Sequence, residues 1–293
     1  MLKNSLKKIV PDSVKAKLKA VEKQRLQKAV AALPKISEDD FVNIMQNEVG
    51  VQSGNVVFIH SSVDRLNLDF PFYRIIPLMR DIVGENGTIL FPTYPKLTSY
   101  KFLKSGQVFN VKRTASFTGI LNEFARRQKD AVRSLHPTKS VVALGKHAKE
   151  LTAEHQNSPY PYDRNSPYYK ITEYDGIIVG IGINTSHLSF VHCIDDTMKE
   201  KFPVQPYHDE LFEAECINYD GESVIVKSYA HDMDKMHFDI PKFVDKYISK
   251  DIARNINIDG MKFGRASSVP LFARMTELAE DGITIFKKQF YIK

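Results

Sequence analysis

The stretch GIIVGIG, residues 176–182, followed by NTSHLSFVHCIDD, residues 184–196, decides the fold of this chain. A short apolar run bounded by glycines is typical of a buried strand, and the polar segment after it predicts a loop that leads into a helix. In α/β folds, loops at strand ends hold side chains over a cleft. We therefore expect an α/β domain with a functional site directly after this strand.

His192 and Asp195 are the pair in this stretch that suggests chemistry. Residues three apart on a helix share a face, so the imidazole and the carboxylate project into the same space. General-base chemistry uses such a pair. A lone histidine beside a strand is more often a structural hydrogen-bonding group, so the hypothesis depends on the two residues together.

The rest of the chain alternates predicted strands with predicted helices. Strands are expected at 56–60, 88–91 and 140–144, and helices at 37–48, 74–83 with an interruption at Pro77, 116–127 and 146–155. Two further runs, 213–219 and 223–229, flank Asp220-Gly221 and predict a hairpin. A helix near 241–250 and a final strand and helix follow. This order predicts a three-layer α/β/α body with a mixed central sheet.

Composition narrows the class of protein. The 293 residues are 43% hydrophobic and 26% charged, which is ordinary for a soluble globular protein. No apolar stretch is long enough to span a bilayer, and no signal-peptide pattern is present, so we expect a cytoplasmic location. Cys193 and Cys216 form no CxxC pair, which argues against a disulfide scaffold or a structural zinc site.

The net charge of +6 is concentrated at the N-terminus. Residues 1–35 hold ten Lys or Arg against two acidic residues, and the remainder carries a net charge of −2. No zinc-finger spacing or aromatic RNA-binding motif accompanies the basic residues, so we expect no nucleic-acid partner. We divide the chain into a basic arm, residues 1–35, and a catalytic domain, residues 36–293.

Apolar residues recur at helical spacing in the arm between Pro11 and Pro34 and predict a basic amphipathic helix. They are Val14, Leu18, Val21, Leu26, Val30 and Leu33. One interpretation is an interfacial anchor that gives peripheral contact with the inner face of the membrane, or a partner-binding helix. The alternative is a solvated helix packed along its own domain.

Six segments occur in an order that is more specific than any one of them. They are HSS (60–62), GTILFPTY (87–94), TASFTGILNEFAR (114–126), RSLHPTKSVVALG (133–145), SPYYKI (166–171) and HLSFVHCID (187–195). This ordered run resembles the aminoglycoside 3-N-acetyltransferase family over about residues 36–275. The resemblance implies acetyl transfer from acetyl-CoA to a primary amine on a sugar, by an α/β/α fold distinct from the common acetyltransferase fold.

The resemblance also implies site residues. His192 takes the position of the general base, Asp195 that of its orienting or amine-binding partner, and His136 that of the second family histidine. Hydroxyl side chains are expected to hold the pantetheine arm or polarise the thioester carbonyl. They are Ser61, Ser62, Thr93, Ser116, Thr118 and Ser140. Asp195 stands where the family usually has Glu, and Ser189 stands near a usual Thr.

For the acceptor, the sequence favours an amino sugar of surface-polysaccharide biosynthesis, linked to a nucleotide or a lipid. Polycationic aminoglycosides should require several carboxylates around the cleft, whereas residues 36–293 carry little net charge. Tyrosines at 158–169 suit apolar sugar surfaces or a nucleotide base. The alternative is an aminoglycoside 3-N-acetyltransferase that confers antibiotic resistance.

Three other interpretations are weaker. A metal-dependent hydrolase would need His187, His192, Asp195 and Asp196 as ligands, but the two histidines are five residues apart and do not share a helical face. A Cys193 nucleophile would diverge from the adjacent His192. A non-catalytic CoA-binding or sugar-binding module would not need the histidines. We therefore expect acetyl-CoA as co-substrate and no metal.

Overall fold

The computed structural model describes residues 12–291. Its strands are β1 (Val56–Ser61), β2 (Thr88–Pro92), β3 (Phe109–Asn110), β4 (Val132–Arg133), β5 (Val141–Gly145), β6 (Ile177–Ile181), β7 (Tyr207–Ile217), β8 (Ser223–His231), β9 (Ala253–Ile258) and β10 (Met261–Ser267). Seven of these form a central sheet in the order β4-β5-β2-β1-β6-β10-β9. Strands β2, β1 and β6 are parallel, and β5 and β10 flank them antiparallel, so the sheet is mixed.

Ten α-helices connect and cover the strands of the described chain. They are α1 (Asp12–Ala31), α2 (Glu38–Asn43), α3 (Ile75–Val83), α4 (Ser99–Lys104), α5 (Ile120–Arg126), α6 (Ala148–Thr152), α7 (Pro167–Lys170), α8 (His192–Met198), α9 (Ile240–Tyr247) and α10 (Ser268–Glu280). A π-helical segment, Ile44–Val49, continues α2.

Each face of the central sheet has its own core. Because side chains alternate along a strand, Val57 and Ile59 of β1 face one layer and Val56 and Phe58 face the other. Helices α2, α3 and α5 cover the first face, and α6, α7 and α10 cover the second. Burying each of these aliphatic or aromatic side chains contributes about 1.5–3 kcal/mol. The predicted three-layer α/β/α architecture is confirmed.

The chain turns sharply where β6 ends. Gly182 has φ of +73°, and a Cβ there would lie 2.2 Å from the carbonyl oxygen of Ser62 at the end of β1. Only glycine combines this conformation with such a close approach to the backbone. The tight turn directs residues 183–191 back over the ends of the parallel strands.

The predicted hairpin exists but belongs to a second sheet. Strands β7 and β8 pair antiparallel around the Asp220-Gly221 turn, and β3 adds to β7 in parallel. A small core of Phe102, Phe109 and Cys216 packs beneath them. The main sheet is completed instead by the β9-β10 pair, of which the sequence predicted one strand.

Helix boundaries show where the sequence prediction succeeded and failed. The helix predicted from Ser37 begins there with a capping box, in which Asp40 N donates to Ser37 Oγ and Ser37 N donates to Asp40 Oδ2, each at 3.1 Å. The interruption at Pro77 is wrong, since Pro77 lies in the first turn of α3, where its missing N–H costs nothing. The helix predicted from Ser116 begins only at Ile120, because Gly119 at φ +129° ends a loop.

The arm is helical over Asp12–Ala31, and residues 1–11 lie outside the described part of the chain. Its predicted single apolar stripe is wrong. The five-residue step from Val21 to Leu26 rotates the pattern by about 140°, so the two groups of apolar residues lie on different sides. Leu26 and Leu33 are half-buried, whereas Leu18 and Val21 are exposed. In residues 12–291, no helix is long and apolar enough to cross a membrane.

Candidate active site

A cavity of about 480 Å³ opens beyond the carboxyl ends of β1, β2 and β6. Strand β1 lies between β2 on one side and β6 on the other. The connections that follow these strands leave the sheet in opposite directions, which opens a crevice at the carboxyl ends of the strands. Residues that end or follow these strands line the crevice, among them His60, Ser61, Pro92, Tyr94, Ile183 and Ser189. This cavity lies where the sequence predicted a functional site, after β6.

His192 and Asp195 form the predicted pair. The 3₁₀ segment Ser189–Val191 leads into α8, which begins at His192, and His192 Nδ1 lies 2.9 Å from Asp195 Oδ2. Both side chains are buried, 7% and 1% exposed. The carboxylate accepts the Nδ1 proton, which leaves Nε2 as the basic nitrogen of a neutral imidazole. His192 lines the cavity, and its Nε2 bonds no described residue.

Aromatic rings hold His192 in place. The rings of Tyr162 and Phe238 lie 5.3 and 5.6 Å from the imidazole, centre to centre. Burial raises the pKa of Asp195, and its hydrogen bond with His192 opposes that effect. The imidazole is therefore confined to one orientation by a carboxylate and two rings, as a general base requires.

Asp196 has a structural task that the sequence did not reveal. Its side chain is fully buried, accepts a hydrogen bond from Tyr162 N at 2.7 Å and another from Tyr207 OH at 2.6 Å. Burial raises the pKa of this carboxyl group. Through these two hydrogen bonds, Asp196 connects the tyrosine-rich segment 158–169 and the second sheet to α8, next to His192.

Two of the six predicted hydroxyl residues line the cavity. They are Ser61, at the end of β1, and Thr118, in the loop before α5. Asn122 joins them, since its Oδ1 accepts from Ser61 Oγ at 3.1 Å and its amide donates to Pro92 O at 2.9 Å. A cluster of hydroxyl and amide groups therefore lines the same cavity as His192.

Ser62 and Ser116 adjoin this cluster without lining the cavity. Ser62 Oγ donates to Asp64 Oδ1 at 2.7 Å, and Ser116 Oγ lies 2.8 Å from Thr118 Oγ1. Ser116 also donates its backbone N–H to Glu123 Oε2 at 2.8 Å. In this structure they shape the walls of the cavity and do not lie on its surface.

Thr93 and Ser140 face away from the cavity. Both are fully buried, and both hydroxyls accept from Arg133 Nε, at 3.1 and 3.0 Å. Arg133 is 3% exposed, and burial lowers the pKa of its guanidinium to about 9. A buried cation requires such partners, so the structure assigns these two hydroxyls to holding Arg133 rather than to the pantetheine arm.

His136 also lies outside the cavity. It is fully buried, stacks on His155 at 4.5 Å, and its Nδ1 accepts from the backbone N–H groups of Thr138 and Lys139 at 3.3 and 3.1 Å. Burial lowers the pKa of His136 well below its usual value. The imidazole closes the turn after Pro137 and is not among the residues that line the cavity, so the geometry does not support the catalytic role predicted for it.

Several residues that line the cavity were not among the predicted catalytic or cofactor-binding residues. The most informative are His60, Tyr94, Lys139, Tyr162 and His187. Burial lowers the pKa of His60 to about 3, and its Nε2 has no partner among the described residues. The tyrosine-rich stretch at 158–169 was the available signal for Tyr162. No local pattern distinguished Lys139 from the many surface lysines.

The competing site interpretations can now be compared with the geometry. Within residues 12–291, no group of three or more His, Cys, Asp or Glu converges as a metal site would. His187 Nδ1 lies 2.9 Å from Ser186 Oγ, and Asp196 is bonded to tyrosines. Cys193 is fully buried in the core, and burial raises the pKa of its thiol well above the usual value, which disfavours a nucleophilic thiolate.

Comparisons with known proteins agree with this architecture. The chain is 28% identical over 159 residues to aminoglycoside N(3)-acetyltransferase VII of Streptomyces paromomycinus, a match that covers 49% of this chain. The chain spans 55% of the length of that relative.

Two solved structures share the fold. One, described as "AAC-IIIb binary with CoASH", superposes with a TM-score of 0.68 at 20% identity and covers 86% of this chain and 98% of that one. The other, "AAC-VIa bound to Sisomicin", gives a TM-score of 0.68 at 18% identity over 85% of this chain and 99% of that one. The sequence model described as aminoglycoside 3-N-acetyltransferase matches residues 58–280, and the chain therefore belongs to the aminoglycoside 3-N-acetyltransferase family.

Proposed function

We propose that this protein is an acetyl-CoA-dependent N-acetyltransferase that acts on a primary amine of an amino sugar, with His192 as general base. The observation that carries the proposal is the His192 Nδ1 to Asp195 Oδ2 contact of 2.9 Å at the wall of the cavity. It leaves Nε2 free to accept a proton from a bound amine.

The reaction follows from this geometry. An amine is largely protonated near neutral pH, so His192 Nε2 first accepts a proton from it. The freed nitrogen attacks the thioester carbonyl of acetyl-CoA, the new C–N bond forms, and the C–S bond breaks. The departing CoA thiolate takes up the second nitrogen proton, which leaves a neutral amide and the CoA thiol. The Ser61, Thr118 and Asn122 cluster lines the same cavity, where it can hold the pantetheine arm or polarise the carbonyl. Buried Cys193 is not available as an acyl carrier, which favours direct transfer.

Acetyl-CoA as co-substrate has support from the fold neighbour described as a CoASH complex. The support for the identity of the acceptor is less direct. The names of the relatives favour the aminoglycoside alternative over our expectation of a polysaccharide precursor, for which they offer no support. A nucleotide or lipid linkage likewise has no support among them.

The test is release of the CoA thiol from acetyl-CoA in the presence of single amino sugars, aminoglycosides included. We expect acceptor-dependent release that His192→Gln abolishes. Acceptor binding without release in the wild-type protein would instead indicate a non-catalytic module. Loss of release on adding a chelator would restore the metal interpretation.

We also retain peripheral membrane contact through residues 1–35 as a proposal. Val14, Leu18 and Val21 are 42–56% exposed on a helix rich in lysine, which suits an anionic lipid surface. No comparison supports it. Replacement of the three by serine keeps the charge and should remove binding to phosphatidylserine vesicles, and unchanged binding would leave charge alone as the cause.

A further inference from the structure

The charge of the cavity is unusual for a site that binds a polycation. Among the described residues that line it, none is Asp or Glu, and the only Lys or Arg is Lys139. The two carboxylates beside the base are already engaged, Asp195 with His192 and Asp196 with Tyr162 and Tyr207. An acceptor with several ammonium groups would find no free carboxylate on these walls.

Lys139 is held where an acceptor would lie. Its ammonium lies 4.6 Å from the centre of the Tyr94 ring and 5.9 Å from that of Tyr162, and Tyr162 also contacts His192. The ammonium makes no hydrogen bond or ion pair with a side chain in residues 12–291. A half-buried cation between aromatic rings, with its donors free, is suited to bind an anion.

The backbone around Lys139 is fixed as well. Its N–H donates to His136 Nδ1 at 3.1 Å, and its carbonyl accepts from Tyr168 OH at 3.3 Å. Burial lowers the pKa of Lys139 to about 8, so the side chain still carries its charge at neutral pH. The histidine that the sequence placed in catalysis therefore has a positioning task, which is to hold the turn that presents Lys139.

We infer that the acceptor amine carries an anionic group, a carboxylate or a phosphate, which Lys139 binds while His192 accepts the proton from the amine. This inference rests on the proposed function and narrows its substrate class. Like charges disfavour a polycation beside Lys139, and an ammonium that is half shielded from water attracts an anion more strongly than an exposed one does.

The experiment compares four acceptors with one enzyme. Glucosamine offers an amine alone, glucosamine 6-phosphate adds a phosphate, 2-amino-2-deoxyglucuronic acid adds a carboxylate, and kanamycin is a polycation. We expect kcat/KM for at least one anionic sugar to exceed that for glucosamine by about ten- to hundredfold, the range of one charged hydrogen bond. Greater activity with kanamycin would overturn the inference.

Substitutions of Lys139 test whether this residue causes the preference for an anionic sugar. Lys139→Met keeps the length of the side chain and removes its charge, so it should erase the preference for the anionic sugar by raising KM for that sugar. Lys139→Arg should retain part of it. The matched control is Lys246→Met, because Lys246 also lies 4.6 Å from a tyrosine ring but outside this cavity.

Two outcomes separate this inference from the proposed function. A rise in KM for acetyl-CoA alone in Lys139→Met would show that Lys139 binds a phosphate of CoA, which contradicts the inference and leaves the transferase intact. If the wild-type protein releases no CoA thiol from acetyl-CoA with any of these acceptors, the proposed function fails. Calorimetric binding of glucosamine 6-phosphate then decides the inference, since binding that is tighter than that of glucosamine and lost in Lys139→Met supports it, and equal binding refutes it.

Discussion

His192 and His136 occupy segments that look alike in sequence and differ in the folded chain. Each histidine lies in a segment that follows a strand, with two residues between β4 and His136 and ten between β6 and His192, and each imidazole is buried. His192 Nδ1 bonds the carboxylate of Asp195 and the ring lines the cavity, whereas His136 Nδ1 accepts from two backbone N–H groups and the ring does not line the cavity. The hydrogen-bond partner of each histidine, rather than its burial, therefore distinguishes the proposed base from a structural group.

Loss of His192 should have the largest effect. His192→Ala removes the proton acceptor and should lower kcat by about two to four powers of ten. CoA binding should change little, because His192 bonds neither Ser61 nor Thr118, the residues proposed to hold the pantetheine arm. Stopped-flow or steady-state thiol release measures the first quantity and calorimetry with CoA the second. Turnover like that of the wild type would end the role of His192 as base and restore His136 as a candidate.

Loss of His136 should act on stability instead. His136→Ala leaves the N–H groups of Thr138 and Lys139 without their acceptor, which should cost about 2–4 kcal/mol in the free energy of unfolding. His136→Asn supplies an acceptor close to the same backbone and should recover part of that loss. Urea unfolding measures the free energy of unfolding of both variants. Unchanged stability with kcat reduced as far as in His192→Ala would place His136 in the chemistry.

The sequence predicted the part of the fold that local patterns encode. The apolar runs of β1, β2, β5 and β6 mark buried strands, and the Ser37 capping box marks the start of α2. Strands β3 and β4 have only two residues each, too short for any periodicity. They exist because longer neighbours pair with them, which no local window shows.

The candidate site divides in the same way. The His192 and Asp195 contact depends on helical spacing, so the sequence was sufficient for it. The assignment of Thr93 and Ser140 to buried Arg133 depends on strands β2, β4 and β5 meeting side by side, and spacing carries no such information. Lys139 joins the cavity for the same reason, through a turn that His136 closes.

Loss of the carboxylate beside the base should have a smaller effect than loss of the base. Asp195→Asn removes the charge that orients the imidazole, and we expect kcat to fall about ten- to hundredfold while KM for both substrates changes little. Asp195→Glu restores a carboxylate and should recover much of the rate, with the imidazole displaced by one methylene. If Asp195→Glu were as slow as Asp195→Asn, the exact reach of Asp195, and not its charge alone, would be the requirement.

The smallest effect should appear in the dependence of stability on pH, at the histidine beneath His136. His155 Nε2 donates to Pro161 O at 2.9 Å, and its Nδ1 accepts from Ser134 Oγ at 2.8 Å. Burial lowers the pKa of His155 to about 3, whereas an unfolded histidine titrates near 6.5. Between these values the unfolded chain binds a proton that the folded chain does not.

Stability from His155 is therefore fully present above about pH 6.5 and decreases as the pH falls toward 3, by up to about 1.4 kcal/mol per pH unit. His155→Gln keeps a donor and an acceptor but does not titrate, so it should reduce the slope of unfolding free energy against pH by about that amount near pH 5. Burial also lowers the pKa of His60 to about 3, so His60 should maintain a residual slope in the same direction in this variant. Urea unfolding at pH 7, 6 and 5 measures both slopes, and equal slopes in the wild type and His155→Gln would show that His155 is not held neutral by the fold.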